Sequence, residues 1–148
     1  MSTIYILKCQ QNKYYIGKTK KTPEKRFYQH VNGSATLWTT KYKPTHIVEI
    51  IKNASSWDED KYTKMYMYKY GINNVRGGSY TKIKLSQNEI NYIIKEFQTA
   101  NDLCYKCGSS SHYSNNCKSL HYNFLPHIII LSVWTLLGFG IGLLMAKK

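Results

Sequence analysis

Two phenols, an ammonium, a guanidinium and an imidazole fall within the first thirty residues, as Tyr5, Tyr15, Lys18, Arg26 and His30. Phosphodiester cleavage needs a base for water, positive charge for the non-bridging oxygens and help for the leaving oxygen. These groups suit that chemistry if the fold brings them together. Residues 3–7 and 14–18 alternate in polarity on either side of a polar turn, which predicts a hairpin. Strand side chains alternate faces, so Tyr15 and Gly17 share one face while Tyr14 and Ile16 take the other. Thr22-Pro23-Glu24 then predicts a helix start, with an N-cap hydroxyl and Pro at the first helical position. Arg26 and His30, four apart, share one face of that helix.

The same stretch resembles the GIY-YIG nuclease family. Thr3-Ile4-Tyr5 stands at the GIY triplet, with Thr3 in place of glycine, and Tyr15-Ile16-Gly17 matches YIG letter for letter. Lys18-Thr19 follows as in many members, and Arg26 and His30 match the family's helix-borne pair. The resemblance implies a small α/β domain, with a three-stranded, mainly antiparallel sheet flanked by helices. It also implies a Glu on a later helix that holds one divalent ion, Mg²⁺ or Mn²⁺, and an Asn about fifteen residues further on. Residues 58–60, Asp58-Glu59-Asp60, are the one acidic cluster in residues 1–80, and Glu59 lies fifteen positions before Asn74. Glu59 is therefore the expected metal ligand, with Asp58 and Asp60 as fallbacks. Ser56 and Glu59 also fit a capping box, which needs no metal. The run from Asp58 to Gly78 is similar to a subgroup found in large DNA viruses.

By the same resemblance, Tyr15 is the expected base, with Lys18 lowering its pKa through positive charge. That pairing requires the strand to break at Gly17, since Lys18 otherwise faces the opposite side. Arg26 can grip phosphate oxygens in a two-pronged contact, and His30 can relay protons or orient Tyr5. Tyr5 positions the water or the phosphate. Each tyrosine, taken singly, also reads as a half-buried strand aromatic.

Further along, residues 35–43 read as a basic loop whose Lys41 and Lys43 contact a nucleic-acid backbone. Residues 46–51 read as a central strand, 56–70 as a helix ended by Gly71, and 75–78 as a turn that permits close backbone approach. Ser86 and Glu89 form a capping box for a second clear helix, whose stripe of Ile90, Ile93, Ile94 and Phe97 suits core packing.

Cys104, Cys107, His112 and Cys117 supply three thiolates and an imidazole at spacings of two, four and four intervening residues, enough for a closed tetrahedral Zn²⁺ site. This spacing resembles the zinc knuckle family, with Ser111 in place of the glycine usual before the His. Tyr105 and Tyr113 stand where knuckles carry residues that stack on unpaired bases. Cys9 stands apart as an apolar-strand thiol.

The chain has 148 residues and carries 21 Lys and Arg against 8 Asp and Glu, a net charge of +13 that favours a polyanionic partner. DNA is the expected partner, with RNA as the alternative. Residues 128–146 are nineteen residues without charge, just long enough to span a hydrocarbon core as a helix. A buried helix or a membrane-surface segment fits the same stretch. The organisation expected is thus a nuclease domain over 1–82, a connecting helix over 83–103, a knuckle over 104–117, a linker over 118–127 and a transmembrane helix over 128–146. Met1 to Lys8 has no apolar signal core, so the chain is expected to be a single-pass tail-anchored membrane protein. Its nuclease would face a reducing cytosol or a viral replication compartment. The functional expectation is a metal-dependent endonuclease, structure-specific or acting in repair or recombination. The alternative is a non-catalytic, membrane-tethered nucleic-acid-binding protein that keeps the fold.

Overall fold

A computed structural model of the chain describes residues 1–119. The transmembrane expectation over 128–146 lies outside the described residues. Among those described, no helix is long and apolar enough to cross a membrane. Two compact units separate at Ala100 and Asn101, and each is described by itself.

The first unit is built on a four-stranded mixed sheet rather than a three-stranded one. Strand β1 (Ser2–Cys9) and strand β2 (Lys13–Thr19) form the expected hairpin, with Tyr5 opposite Gly17 and Leu7 opposite Tyr15. Its turn places Gln11 and Asn12 at positive φ, and Asn tolerates that region. Helix α1 (Pro23–Val31) follows, started by Pro23 alone, because the Thr22 hydroxyl makes no capping bond. The segment expected to be a loop contains a short helix, α2 (Leu37–Lys41), which Thr36 caps by accepting from the Thr39 N–H.

Strand β3 (Pro44–Ala54) lies at the sheet edge beside β1, not at its centre. Helix α3 (Asp58–Tyr70) returns the chain to strand β4 (Val75–Gly77), which pairs parallel to β2 at the other edge. β4 is three residues long and runs into Gly77-Gly78, so its sequence reads as a turn. The close approach expected there does occur. A Cβ on Gly77 would overlap the Ile16 carbonyl, and one on Gly78 would overlap the Asp60 carboxylate. Helix α4 (Gln87–Ala100) starts with the Ser86–Glu89 box formed in both directions. It is more than a connector, since Ile93 is buried in the sheet's core.

The sheet has a core on each face. Ile4, Ile6, Tyr14 and Ile16 pack with Met67, Val75, Leu85 and Ile93. Tyr5, Leu7, Cys9 and Tyr15 pack with Trp38 from α2. Period-two alternation along the hairpin therefore assigns every catalytic candidate on β1 and β2 to a face.

Candidate functional site

The Tyr5 hydroxyl lies 2.9 Å from His30 Nε2, across from α1. His30 Nδ1 lies 2.9 Å from Thr39 Oγ1, and that oxygen lies 3.2 Å from the Thr36 carbonyl. With its proton given to Thr36, whose hydroxyl lies 2.9 Å and carbonyl 3.2 Å away, the Thr39 oxygen can receive the Nδ1–H of His30. In that tautomer Nε2 accepts from the Tyr5 hydroxyl. Three side chains, from β1, α1 and α2, thus line up as Tyr5, His30 and Thr39, and the line ends on Thr36 at the N-cap of α2. Thr36 and Thr39 were legible in the sequence only as part of a basic loop; their N-cap spacing was the available signal.

Arg26 joins from the same helix face, its Nε donating to the Tyr5 hydroxyl at 3.4 Å and its Nη1 to Gln29 Oε1 at 2.6 Å. Tyr15 completes the aromatic wall, its ring centroid 4.7 Å from that of His30 and 6.5 Å from that of Tyr5. Its hydroxyl has no hydrogen-bond partner among the described residues. Gly17 makes room for the Tyr5 phenol, because a Cβ there would overlap the phenol oxygen.

Burial raises the Tyr5 phenol, and the Arg26 guanidinium pulls it back. Burial also raises Tyr15, further, with Tyr5 and Glu59 adding to it and Arg26 opposing. The expected help from Lys18 is not what acts on Tyr15, because Lys18 belongs to the other face of β2. Burial, reinforced by Arg26, lowers His30 to about 4, so it is neutral at physiological pH.

Lys18 meets Glu59 at the end of β2. Its backbone N–H donates to Glu59 Oε1 at 3.2 Å, and its ammonium lies 3.9 Å from Oε2 and 3.1 Å from the Ser56 carbonyl. The expected Ser56–Glu59 capping box is therefore replaced: Asp58 takes the Ser55 N–H at 2.7 Å, and Glu59 turns to the strand. Asp60 is held by the Ser79 N–H and hydroxyl, both at 2.7 Å. Of the three acids, Glu59 alone is directed at the end of β2. A single half-buried carboxylate fits Mg²⁺ or Mn²⁺ held largely by water and substrate phosphate.

Asn74 is not brought to this cluster. It lies beyond the far end of α3, with about 16 Å of helix between Glu59 and Tyr70. There it donates to the Tyr70 carbonyl at 2.7 Å and accepts from the Lys13 ammonium at 2.7 Å, closing the turn into β4. Lys41 lies in α2 with its ammonium 5.3 Å from the Tyr42 ring centroid, and both Lys41 and Lys43 are exposed. Arg76, which sequence reasoning treated only as part of a turn, is 1% exposed. It donates to the carbonyls of Val75, Ile72, Lys82 and Ile83 at 2.5 to 3.0 Å and stacks over Trp38.

The second unit carries the cysteine–histidine cluster. The candidate ligand atoms of Cys104, Cys107, His112 and Cys117 all lie within 4.8 Å of one another, as a tetrahedral Zn²⁺ site requires. Gly108, at φ 75, lets its N–H return to the Cys104 carbonyl at 2.8 Å. His112 turns Nε2 to Cys107 Sγ at 3.4 Å, while Nδ1 meets Ser111 Oγ at 3.1 Å. Ser111 thus orients the ring, a service glycine cannot perform. Burial opposes ionisation of Cys104, but the N–H groups of Cys107 and Lys106, with the neighbouring Cys107 and Cys117 thiols, hold it below the usual thiol range. Tyr105 and Tyr113 are both exposed.

A phenol–imidazole–hydroxyl chain beside a guanidinium, with a lone carboxylate at the same strand, suits hydrolysis of a phosphate ester. The model of the GIY-YIG catalytic domain matches residues 1–106, and the chain belongs to the GIY-YIG family. It is a nuclease, a hydrolase of phosphodiester bonds, with nucleic acid as its substrate. No curated protein and no solved structure matches the chain.

Proposed function

We propose that the chain is a divalent-metal-dependent endonuclease that cuts DNA, and that its second unit holds Zn²⁺ and grips nucleic acid. The observation that carries this reading is the directed chain from Tyr5 through His30 to Thr39, with Arg26 at the phenol. As water attacks phosphorus, Tyr5 takes its proton and passes its own to His30 Nε2, which Thr39 keeps available as an acceptor. Tyr5 rather than Tyr15 is the phenol in this role, since Tyr15 has no base beside its hydroxyl. Tyr15 walls the imidazole and orients the water. Arg26, held by Gln29, binds the non-bridging oxygens. Glu59 would hold Mg²⁺ or Mn²⁺, which supplies charge stabilisation at the leaving oxygen, and Lys18 fixes the Glu59 carboxylate. Cys104, Cys107, His112 and Cys117 would hold Zn²⁺ in a closed structural site, presenting Tyr105 and Tyr113 to bases.

Full-length protein with Mg²⁺ and labelled DNA tests this. Glu59→Gln and Tyr5→Phe should each lower single-turnover cleavage by about 100-fold or more while leaving DNA affinity nearly unchanged. Undiminished cleavage in both would overturn the assignment. Binding without cleavage by the unsubstituted chain would favour the non-catalytic alternative. The uncharged run over 128–146 supports attachment of this nuclease to a membrane. Deleting residues 128–148 should then move the chain from sedimented membranes to the supernatant.

A further inference from the structure

Of the two carboxylate oxygens of Glu59, one is taken and one is open. Oε1 accepts the Lys18 N–H at 3.2 Å, whereas Oε2 accepts no hydrogen bond among the described residues. What faces Oε2 is the Lys18 ammonium at 3.9 Å, beyond hydrogen-bond reach but close enough to balance the charge. The hydrogen bond of that ammonium goes instead to the Ser56 carbonyl at 3.1 Å, which keeps it beside the carboxylate. One lysine thus holds Glu59 twice, by its backbone and by its charge, and substitution can separate the two contacts.

No neighbouring acid relieves this pairing. Asp58 is engaged with the Ser55 N–H at 2.7 Å, and both oxygens of Asp60 are taken by Ser79. The Lys18 and Glu59 side chains are 31% and 24% exposed, so water and salt screen the pair only in part. A divalent ion held by Glu59 would place its charge at the oxygen that the ammonium now faces. Two cations beside one carboxylate repel, so the ion must turn the ammonium away. A phosphodiester changes that balance, because it brings negative charge that both cations can share.

We propose that Lys18 is a resident counter-ion that the divalent ion must displace from Glu59, so that the free enzyme holds the metal weakly and binds it firmly only together with DNA. The device ties metal occupancy to the presence of substrate. It rests on the reading of Glu59 as the metal ligand, and its test separates the two. Mn²⁺ binding to the full-length chain is followed by loss of the electron paramagnetic resonance signal of the free ion, with Glu59→Gln as the background. Lys18→Met keeps the backbone N–H on Oε1 and removes only the ammonium. It should tighten Mn²⁺ binding by about 5- to 20-fold, while Lys18→Arg, which keeps the charge, stays within about threefold of the unsubstituted chain. Reciprocity supplies a second readout, since Mn²⁺ must raise the affinity for DNA by the factor by which DNA raises the affinity for Mn²⁺. That factor is read by fluorescence anisotropy of labelled DNA in the Tyr5→Phe background, which should leave the DNA uncut. It should be about tenfold or more with Lys18 and smaller by about threefold or more with Lys18→Met. Mn²⁺ affinity that is equal or weaker in Lys18→Met overturns the proposal, as does an undiminished factor. If Glu59→Gln binds Mn²⁺ as well as the unsubstituted chain, the reading of Glu59 fails and the proposal falls with it. Dependence on Glu59 without dependence on Lys18 refutes the proposal alone.

Discussion

At the scale of single residues, the site turns on where one proton sits. Thr39 has no charge and cannot itself take a proton from a phenol, yet in the proposed relay it sets which nitrogen of His30 can. Thr39→Val keeps the shape and removes the acceptor for the Nδ1–H. It should lower kcat by about tenfold or more with little change in KM, while Thr39→Ser restores most of the rate. Nitrogen chemical shifts of His30 should move away from the Nδ1–H tautomer in the valine variant alone. The pH profile of the unsubstituted enzyme follows from the same imidazole. Since burial holds His30 at about 4, the neutral acceptor persists to well below its ordinary range near 6.5. Activity should be lost only as pH falls through about 4; a limb near 6.5 would place His30 outside the relay.

Among the elements, the hairpin gathers the site at the end of β2. Tyr5, Tyr15, Arg26 and His30 meet on one face, Glu59 reaches the strand itself at the Lys18 N–H, near enough to raise both phenols, and glycine at position 17 lets the Tyr5 phenol settle against the strand. β4 closes the sheet edge behind Tyr14–Ile16, and Arg76 holds it there by satisfying carbonyls that would otherwise be buried without donors. Arg76→Met keeps an unbranched apolar stem but leaves those carbonyls unpaired. It should cost about 3 kcal/mol or more of stability, read as a fall in the denaturation midpoint at unchanged slope. Arg76→Lys should recover part of that loss, since an ammonium lacks the planar fork. A cost within about 0.5 kcal/mol would show that solvent or the neighbouring turn supplies the missing donors.

Across the whole molecule, two units solve stability differently. The first buries apolar side chains on both faces of a sheet; the described residues of the second, too few for such a core, bring four candidate ligands together for one ion. Removing Zn²⁺ with a strong chelator should therefore disorder residues 104–117 in amide-exchange measurements while the exchange protection of β1 and β2 persists. It should weaken affinity for single-stranded DNA, and added Zn²⁺ should restore it. Unchanged protection at Cys104–Cys117 after chelation would show that metal does not organise the segment.

The hairpin, its two faces, α1 and the Ser86–Glu89 cap were legible because each rests on local periodicity or a three-residue rule. So was the ligand set of the knuckle, since a metal's geometry restricts spacing along the chain. The chemical inventory of the site was equally plain, because Tyr5, Tyr15, Arg26, His30 and Glu59 carry groups that few other residues could replace. Arrangement was another matter. Glu59 and Asn74 have the expected separation in sequence, but a helix about 20 Å long turns that separation into distance. Thr39 reads as loop until α1 and α2 pack and place it on His30. β4 reads as a turn until β2 supplies its hydrogen-bond partners. Sequence by itself determined which groups this nuclease has and which strand face each takes, because those follow from the covalent chain. Only the tertiary structure decided which phenol has a base, which acid is directed at the strand, and which cation stands beside that acid, because each depends on what another element brings alongside.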